Sequence, residues 1–168
     1  TGFNSLSDCA YDPAADVLYV TDNSLELAGA LTGDTVFAIP AASTATDVPA
    51  LGLEATPAGS IPSAAGVAVS AAGGVYVSNA AGGTSGSVGL VADGTFTPVV
   101  SGLGFAGGVA VEQAGTLLVA ESLDTLDSRV SRYAADGSLL DVISGPTFAH
   151  GSYDLAFDAR GRLLVTGA

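Results

Sequence analysis

The sequence predicts an all-β fold: a β-propeller fragment of about three and a half four-stranded blades, completed by another chain. Segments that read as β-hairpins recur along the 168 residues, and the 23 glycines would weaken any long helix. Hydrophobic residues make up 48% of the chain and charged ones 12%, so enough apolar surface is present to form a packed core. This composition excludes an intrinsically disordered protein.

A segment of about 14 residues occurs four times along the chain. Each copy is a short apolar strand with alanine as its second residue, then a tight turn and a second apolar strand, which is the pattern of a β-hairpin. The innermost strands of a propeller are crowded, and alanine suits that position, so we expect Ala68, Ala110 and Ala156 to be buried near the axis. The copies begin at Cys9, Val67, Val109 and Leu155 and read CAYDPAADVLYVTD, VAVSAAGGVYVSNA, VAVEQAGTLLVAES and LAFDARGRLLVTGA.

A second pair of strands follows each of the first three hairpins. Two of these pairs turn at Asp-Gly, in SVGLVADGTFTPVV from Ser87 and RVSRYAADGSLLDVIS from Arg129, and DTVFAIP from Asp34 begins a weaker version. Four antiparallel strands in each unit indicate propeller blades, since the repeats of the competing β-helix are much shorter. The predicted blades cover residues 5–62, 63–104 and 105–150, and a half blade covers residues 151–168.

The last repeat supplies only the two inner strands of its blade. Its second strand, over residues 163–166, is apolar and contains no Pro or Lys that would protect an open edge from aggregation. We therefore expect a second polypeptide to add the outer strands beside this edge and to complete the propeller.

Charge excludes two classes of partner. Four basic residues against 17 acidic ones give a net charge of −13, which repels phosphate groups, so neither nucleic acid nor an anionic membrane is expected as a partner. No stretch predicts a transmembrane segment, and the acidic surface favours a secreted, periplasmic or cell-surface location. Cys9, the only cysteine, stands among alternating apolar residues and is expected to be a small buried core residue.

The hairpin repeats have a recognisable form, G-[VI]-A-V-x-x-x-G-x-[VL]-Y-V-[AS]-[DN]. It is found at Gly66–Asn79 and more loosely at Gly108–Glu121 and Asp154–Gly167. This form resembles the repeats of NHL-repeat and SMP-30 (gluconolactonase)-like β-propellers over nearly the whole chain. The shared positions belong to the scaffold, so the resemblance implies the fold more specifically than the activity. WD40 propellers are disfavoured because the chain has no Trp.

The resemblance to SMP-30-like hydrolases implies that acidic and amide side chains at the starts of innermost strands converge on a Ca²⁺-type ion. Such ions need several oxygen ligands. The matching positions here are Ser7-Asp8, Ala65-Gly66, Gly107-Gly108 and Tyr153-Asp154, and two of the four offer no side-chain oxygen. We therefore expect no metal ion held by this chain alone. Asp8 and Asp154 are the candidate ligands for a Ca²⁺ shared with the second chain, and the alternative is that they cap turns at strand starts.

Long loops share one face of a propeller, and ligands usually bind where such loops converge. On this ligand face the sequence places Phe105, Phe148, Tyr153, Asn79 and Glu121. Asn79 also fits a hydrogen-bonding strand end. His150, the only histidine, is the candidate for a catalytic general base, but the sequence shows no nucleophile or orienting partner for it, so a packing role in its loop is the alternative.

Two functions from different classes are consistent with these patterns. The first is a secreted or envelope propeller subunit that binds a protein or a ligand as one piece of a split or nicked propeller. The alternative is an SMP-30-like metal-dependent lactonase or esterase whose site is shared with a second chain. The second function requires metal ligands or a nucleophile–base pair at the axis, which distinguishes it from the first.

Overall fold

The computed structural model of the protein is built from antiparallel β-strands in separate small sheets. It describes residues 5–23, 35–46, 54–56, 61, 63–123, 127–145 and 152–167, and for residues 54–56, 152 and 153 it describes the backbone alone. A single turn of 3-10 helix at Ala42–Thr44 interrupts the strands. No helix in these ranges is long and apolar enough to cross a membrane.

The sheets follow one another along the chain, and each begins with one of the predicted hairpins. Sequence neighbours pair within every sheet, so each sheet is an antiparallel meander, as propeller blades are. Blade 1 contains β1 (Leu6–Asp12), β2 (Val17–Asp22), β3 (Thr35–Pro40) and β4 (Glu54–Thr56). Blade 2 contains β5 (Ala64–Val69), β6 (Val75–Asn79), β7 (Gly86–Ala92) and β8 (Thr95–Leu103). Blade 3 contains β9 (Phe105–Val111), β10 (Leu117–Ser122), β11 (Ser128–Tyr133) and β12 (Leu139–Ile143), and blade 4 contains β13 (Ser152–Phe157) and β14 (Leu163–Gly167).

The Asp-Gly pairs form the turns that the sequence predicts. Asp93 and Gly94 join β7 to β8 with φ angles of 48° and 72°, so both residues adopt the left-handed conformation of a type I′ hairpin turn. Gly137, between β11 and β12, also has a positive φ of 84°. The prediction of two outer hairpins is confirmed in blades 2 and 3.

The blades stack through their first strands. In turn, β1 contacts β5, β5 contacts β9, and β9 contacts β13. Apolar cores fill the spaces between successive blades and include Val67 and Val77 between blades 1 and 2, Val109 and Val119 between blades 2 and 3, and Leu155 between blades 3 and 4. This stacking of three four-stranded sheets and one two-stranded sheet confirms the propeller-fragment fold class.

The alanines of the innermost strands differ in burial. Ala68 and Ala110 are 8% and 6% exposed, as predicted. Ala156 is exposed, contrary to the prediction, because it lies on the face of blade 4 that points away from blade 3 and that no described residue covers. The position is therefore equivalent in sequence but not in environment.

Cys9 is a second departure from the sequence prediction. It is exposed, whereas the alternation of β1 led us to expect burial. Its neighbour Ala10 packs against the core between blades 1 and 2, so Cys9 points to the opposite face of the sheet. A period-two pattern identifies two faces of a strand but cannot by itself say that both are covered.

Candidate functional site

The innermost strands begin around a cavity of about 210 Å³ at the centre of the blade arrangement. Its described lining comes from the start of every innermost strand, which is the convergence that the resemblance to SMP-30-like hydrolases implies. The lining residues are Ser7, Asp8, Ala65, Gly66, Phe105, Gly107, Gly108 and Asp154. We call this space the axial cavity.

Asp8 is held firmly at the cavity wall by backbone groups. Its Oδ1 atom accepts a hydrogen bond from the Cys9 amide at 2.7 Å, and its Oδ2 atom accepts one from the Val67 amide of blade 2 at 2.8 Å. Burial raises the pKa of the Asp8 carboxyl above its ordinary value, the two amide bonds oppose this, and the charge of Asp154 raises the pKa further. The two carboxylates are therefore close enough to interact across the cavity.

Asp154 repeats the local geometry of Asp8 in blade 4. Its Oδ1 atom accepts a hydrogen bond from the Leu155 amide at 2.7 Å, as Asp8 does from Cys9. Each aspartate is the third residue of its strand and accepts the amide of the following residue, and both line the axial cavity. The structure brings together the two candidate metal ligands that the sequence named.

Gly66 and Gly108, which occupy the same repeat position as the two aspartates, lie where innermost strands approach most closely. A Cβ atom at Gly66 would stand 2.8 Å from the backbone of residues 107–109, and one at Gly108 would stand 2.6 Å from the Cα atom of Asp154. Because real Cβ atoms are not found at such distances from backbone, these positions require glycine. Blades 2 and 3 therefore cannot present a carboxylate here without moving apart.

Three further residues of the predicted ligand face have different environments. Phe105 is 40% exposed and borders the axial cavity. Asn79 is buried, and its Oδ1 atom accepts a hydrogen bond from the Ala81 amide, which is the strand-end role considered above. Glu121 has no exposed area. It accepts hydrogen bonds from Tyr133 Oη at 3.1 Å and from Arg129 at 3.3 Å, so its carboxylate is buried in these contacts.

The remaining candidates lie outside what the structure describes. Phe148 and His150 are in the undescribed range 146–151, and the Tyr153 side chain is not described either. Their assignment to the ligand face and to a base stays a prediction.

Sequence reasoning missed two hydroxyl groups that connect blades. Thr21 Oγ1 donates to the Ala65 carbonyl of blade 2 at 2.5 Å and accepts the Asp8 amide at 3.0 Å. Ser78 Oγ similarly accepts the Gly66 amide at 2.7 Å and donates to the Gly107 carbonyl of blade 3. Both residues directly follow the last valine of their repeat. A comparison of the repeat copies at that position would have identified the two hydroxyl groups.

A second cavity, of about 470 Å³, lies between blades 1 and 2 away from the strand starts. Tyr19, Leu90 and Asp93 are among its lining residues. It is larger than the axial cavity, but Asp93 is the only carboxylate among its described lining residues. Across the described ranges, no group of three or more His, Cys, Asp or Glu residues is close enough to hold a metal ion.

Comparison with known proteins gives structural relatives only. No protein-family model matches the sequence, and no curated protein matches it. A gluconolactonase from Xanthomonas campestris superposes with a TM-score of 0.70 at 20% identity, over 99% of this chain and 55% of that one. The fold is that of an SMP-30-like β-propeller.

Two other structures support this fold. A luciferin-regenerating enzyme matches with a TM-score of 0.67 at 18% identity, over 97% of this chain and 53% of that one. A Thermus thermophilus protein described as an oxidoreductase (glucose dehydrogenase) matches with a TM-score of 0.71 at 21% identity, over 99% and 62% of the two chains. The chain thus spans little more than half the length of these propellers. The resemblance to NHL repeats in particular is not tested by these matches.

Proposed function

We propose that this chain contributes part of the active site of an SMP-30-like, metal-dependent lactonase or ester hydrolase. The observation that carries the proposal is the pair of carboxylates, Asp8 and Asp154, in the axial cavity. The likeness of the fold to a gluconolactonase supports hydrolysis over a purely ligand-binding role. Because the chain spans 55% of that structure, other groups of the site would come from outside these 168 residues.

The donor set suits a hard divalent cation such as Ca²⁺. Both side chains offer carboxylate oxygens, and no Lys or Arg is among the described residues that line the cavity. Asp8 is partly desolvated and is repelled by Asp154, so a cation between them would relieve an unfavourable interaction. Two carboxylates provide only part of the roughly six to eight oxygen ligands of Ca²⁺. The residues therefore fit a shared site.

Each part of the cavity would have a separate role. A divalent ion, when bound, polarises the carbonyl of a lactone or ester and acidifies water. Asp8 and Asp154 would hold the ion, while Gly66 and Gly108 allow the innermost strands to approach closely beside it. The half-exposed Phe105 ring would form an apolar wall against the substrate ring.

Titration with Ca²⁺ tests the shared metal site on the chain together with the polypeptide that co-purifies with it. Calorimetry should show Ca²⁺ binding to this complex, and Asp8→Asn or Asp154→Asn should each abolish it, whereas the chain alone has an incomplete ligand set. Asp93→Asn is the matched control, since it removes one carboxylate at a blade 2 turn and Asn tolerates the left-handed backbone there. Binding that survives both axial substitutions would contradict the proposed site.

Activity is measured on the chain together with whatever polypeptide co-purifies under native conditions. Glucono-1,5-lactone should be hydrolysed in Ca²⁺ and not in EDTA, and Asp8→Asn should lower kcat/KM by at least about a hundredfold, the upper end of the loss for residues that only support a metal ligand. A rate that is independent of Ca²⁺ and of both aspartates would exclude a metal-dependent hydrolase.

A ligand-binding subunit without catalysis is the second proposal, and the exposed aromatic ring of Phe105 at the cavity rim favours it. In that case a sugar lactone would bind without being opened, and Phe105→Ala would weaken binding. Turnover that depends on Asp8 would exclude this alternative.

A further inference from the structure

The cavity of about 470 Å³ between blades 1 and 2 is separate from the axial cavity, because the two share no described lining residue. Residues 72–74, in the turn at the end of β5, form part of its wall, whereas the axial cavity lies at the start of β5. Its volume is within the range of small-molecule sites, about 300–1,000 Å³. We call this space the lateral cavity.

One small side chain of blade 1 leaves this space open. Tyr19 packs against the core between blades 1 and 2, as Tyr76 packs against the core between blades 2 and 3. The cross-strand partner of Tyr19 is Ala38, whereas that of Tyr76 is Leu90. Blade 1 therefore has a methyl group where blade 2 has a full leucine side chain. Unfilled space between packed elements costs stability, and a bound molecule would offset that cost.

The surroundings of the lateral cavity are negatively charged. Asp93 is part of its wall, and burial together with the charge of Asp12 raises the pKa of the Tyr19 phenol above its ordinary value. No Lys or Arg precedes Arg129 in the sequence, and none is among the described lining residues. The cavity therefore repels anions and attracts cations.

We propose that the lateral cavity binds a small organic cation, which consists of an ammonium group on a compact apolar body. The ammonium contacts the Tyr19 ring and the Asp93 carboxylate, since aromatic faces and carboxylates both attract ammonium groups. The apolar body lies beside Ala38 and against Val75, in the space that the small alanine leaves. A metal ion is a poor occupant, because Asp93 is the only carboxylate among the described lining residues. All four residues belong to blades 1 and 2, so the site is independent of the axial carboxylates and of hydrolysis.

The probe is 2-phenylethylammonium, and 2-phenylethanol and 3-phenylpropionate are its neutral and anionic counterparts. Each compound is titrated in EDTA into the ¹⁵N-labelled protein as purified under native conditions. Amide shifts should centre on residues 72–75 and 90–93, which line the cavity. The ammonium should bind about fivefold more tightly than the alcohol, and the carboxylate should bind more weakly than either.

Substitutions identify the groups that bind the probe. Ala38→Leu supplies the side chain that blade 2 has at this place, so it should abolish binding without lowering the urea denaturation midpoint. Tyr19→Leu should weaken binding by about tenfold, whereas Tyr19→Phe keeps the ring and should stay within about twofold of the wild type. Asp93→Asn should weaken binding by about threefold.

Asp136→Asn is the matched control, because it removes one carboxylate from the corresponding turn of blade 3 and should leave the affinity unchanged. Asp93→Asn leaves both carboxylates of the axial cavity in place, so weaker ammonium binding with intact Ca²⁺ binding would separate the two sites. Four results would each overturn the proposal: no shifts at millimolar probe, shifts confined to another surface, equal affinity for the alcohol, or binding that survives Ala38→Leu.

Discussion

Gly66 and Gly108 have an individual role in the spacing of the blades. Both stand where the backbone of the next innermost strand is under 3 Å from the place that a Cβ atom would occupy. Neither has a positive φ, so the reason for glycine is space and not backbone conformation. The glycine at this repeat position therefore sets how closely two blades approach.

Replacement of either glycine by alanine should force the blades apart. We expect Gly66→Ala and Gly108→Ala each to lower the free energy of unfolding by about 1–3 kcal/mol through overpacking. The measurement is urea denaturation followed by circular dichroism. Gly82→Ala is the control, because nothing lies within 4 Å of its Cβ position, and it should change stability by less than about 0.5 kcal/mol. Equal effects at all three positions would show that the close approach is not what requires glycine.

The Asp8 carboxyl makes stability depend on pH in the acidic range. Its pKa in the folded protein is raised above 3.8 by burial and by Asp154, so in the interval just above 3.8 the folded state binds more protons than the unfolded state. Stability should therefore increase as the pH falls through the raised pKa. The increase should be absent in Asp8→Asn.

Denaturation midpoints of the wild type and of Asp8→Asn, recorded between about pH 4 and 7, measure this difference. The carboxylates that do not interact with Asp8 contribute equally to both proteins, so the difference reports Asp8 together with its interaction with Asp154. Asp93→Asn should follow the wild-type profile. Parallel profiles for the wild type and Asp8→Asn would mean that Asp8 is not desolvated in the folded state.

At the scale of the strands, a hydroxyl at the end of the second strand connects a hairpin to its neighbour. Ser78 satisfies the Gly66 amide and the Gly107 carbonyl together, and its side chain is buried. Blade 3 has Ala120 at this position and therefore lacks this connection. In blade 2, Ser78 joins the hairpin of β5 and β6 to blade 3 because its side chain bridges two backbone groups.

Removal of this hydroxyl should leave two buried backbone groups without their partner. Ser78→Ala is expected to lower the free energy of unfolding by about 1–3 kcal/mol, measured by urea denaturation. Ser101→Ala, on the exposed edge strand β8, serves as the control and should be nearly neutral. A neutral Ser78→Ala would indicate that water replaces the hydroxyl.

At the scale of the whole molecule, stability comes from faces covered by a neighbouring blade. Leu118 and Leu164 occupy the same place in blades 3 and 4, but only Leu118 is covered. Leu118→Ala should therefore cost about 2–5 kcal/mol, while Leu164→Ala should cost less than about 1 kcal/mol in this chain. Urea denaturation of the two variants provides a matched comparison. A large loss in Leu164→Ala would mean that its side chain is buried in solution, for instance by self-association, which sedimentation would detect.

The sequence by itself determined the local elements. Alternation and turn residues predicted the four hairpins, the outer strands and the turn at Asp93-Gly94, because these depend on contacts between residues close together in the chain. The resemblance to SMP-30-like hydrolases implied that side chains at the starts of the innermost strands converge, and it made Asp8 and Asp154 the candidate ligands. The structure places both residues at the axial cavity.

Only the tertiary structure decided which faces are covered. Cys9 and Ala156 follow apolar patterns yet are exposed, because one side of blade 1 and one side of blade 4 have no described neighbour. Glu121 was assigned to the ligand face, but it is buried and accepts hydrogen bonds from Arg129 and Tyr133. The spacing of these residues in the sequence does not predict that they interact. Burial depends on what packs against a strand from another blade, and the alternation within one strand carries no information about that neighbour.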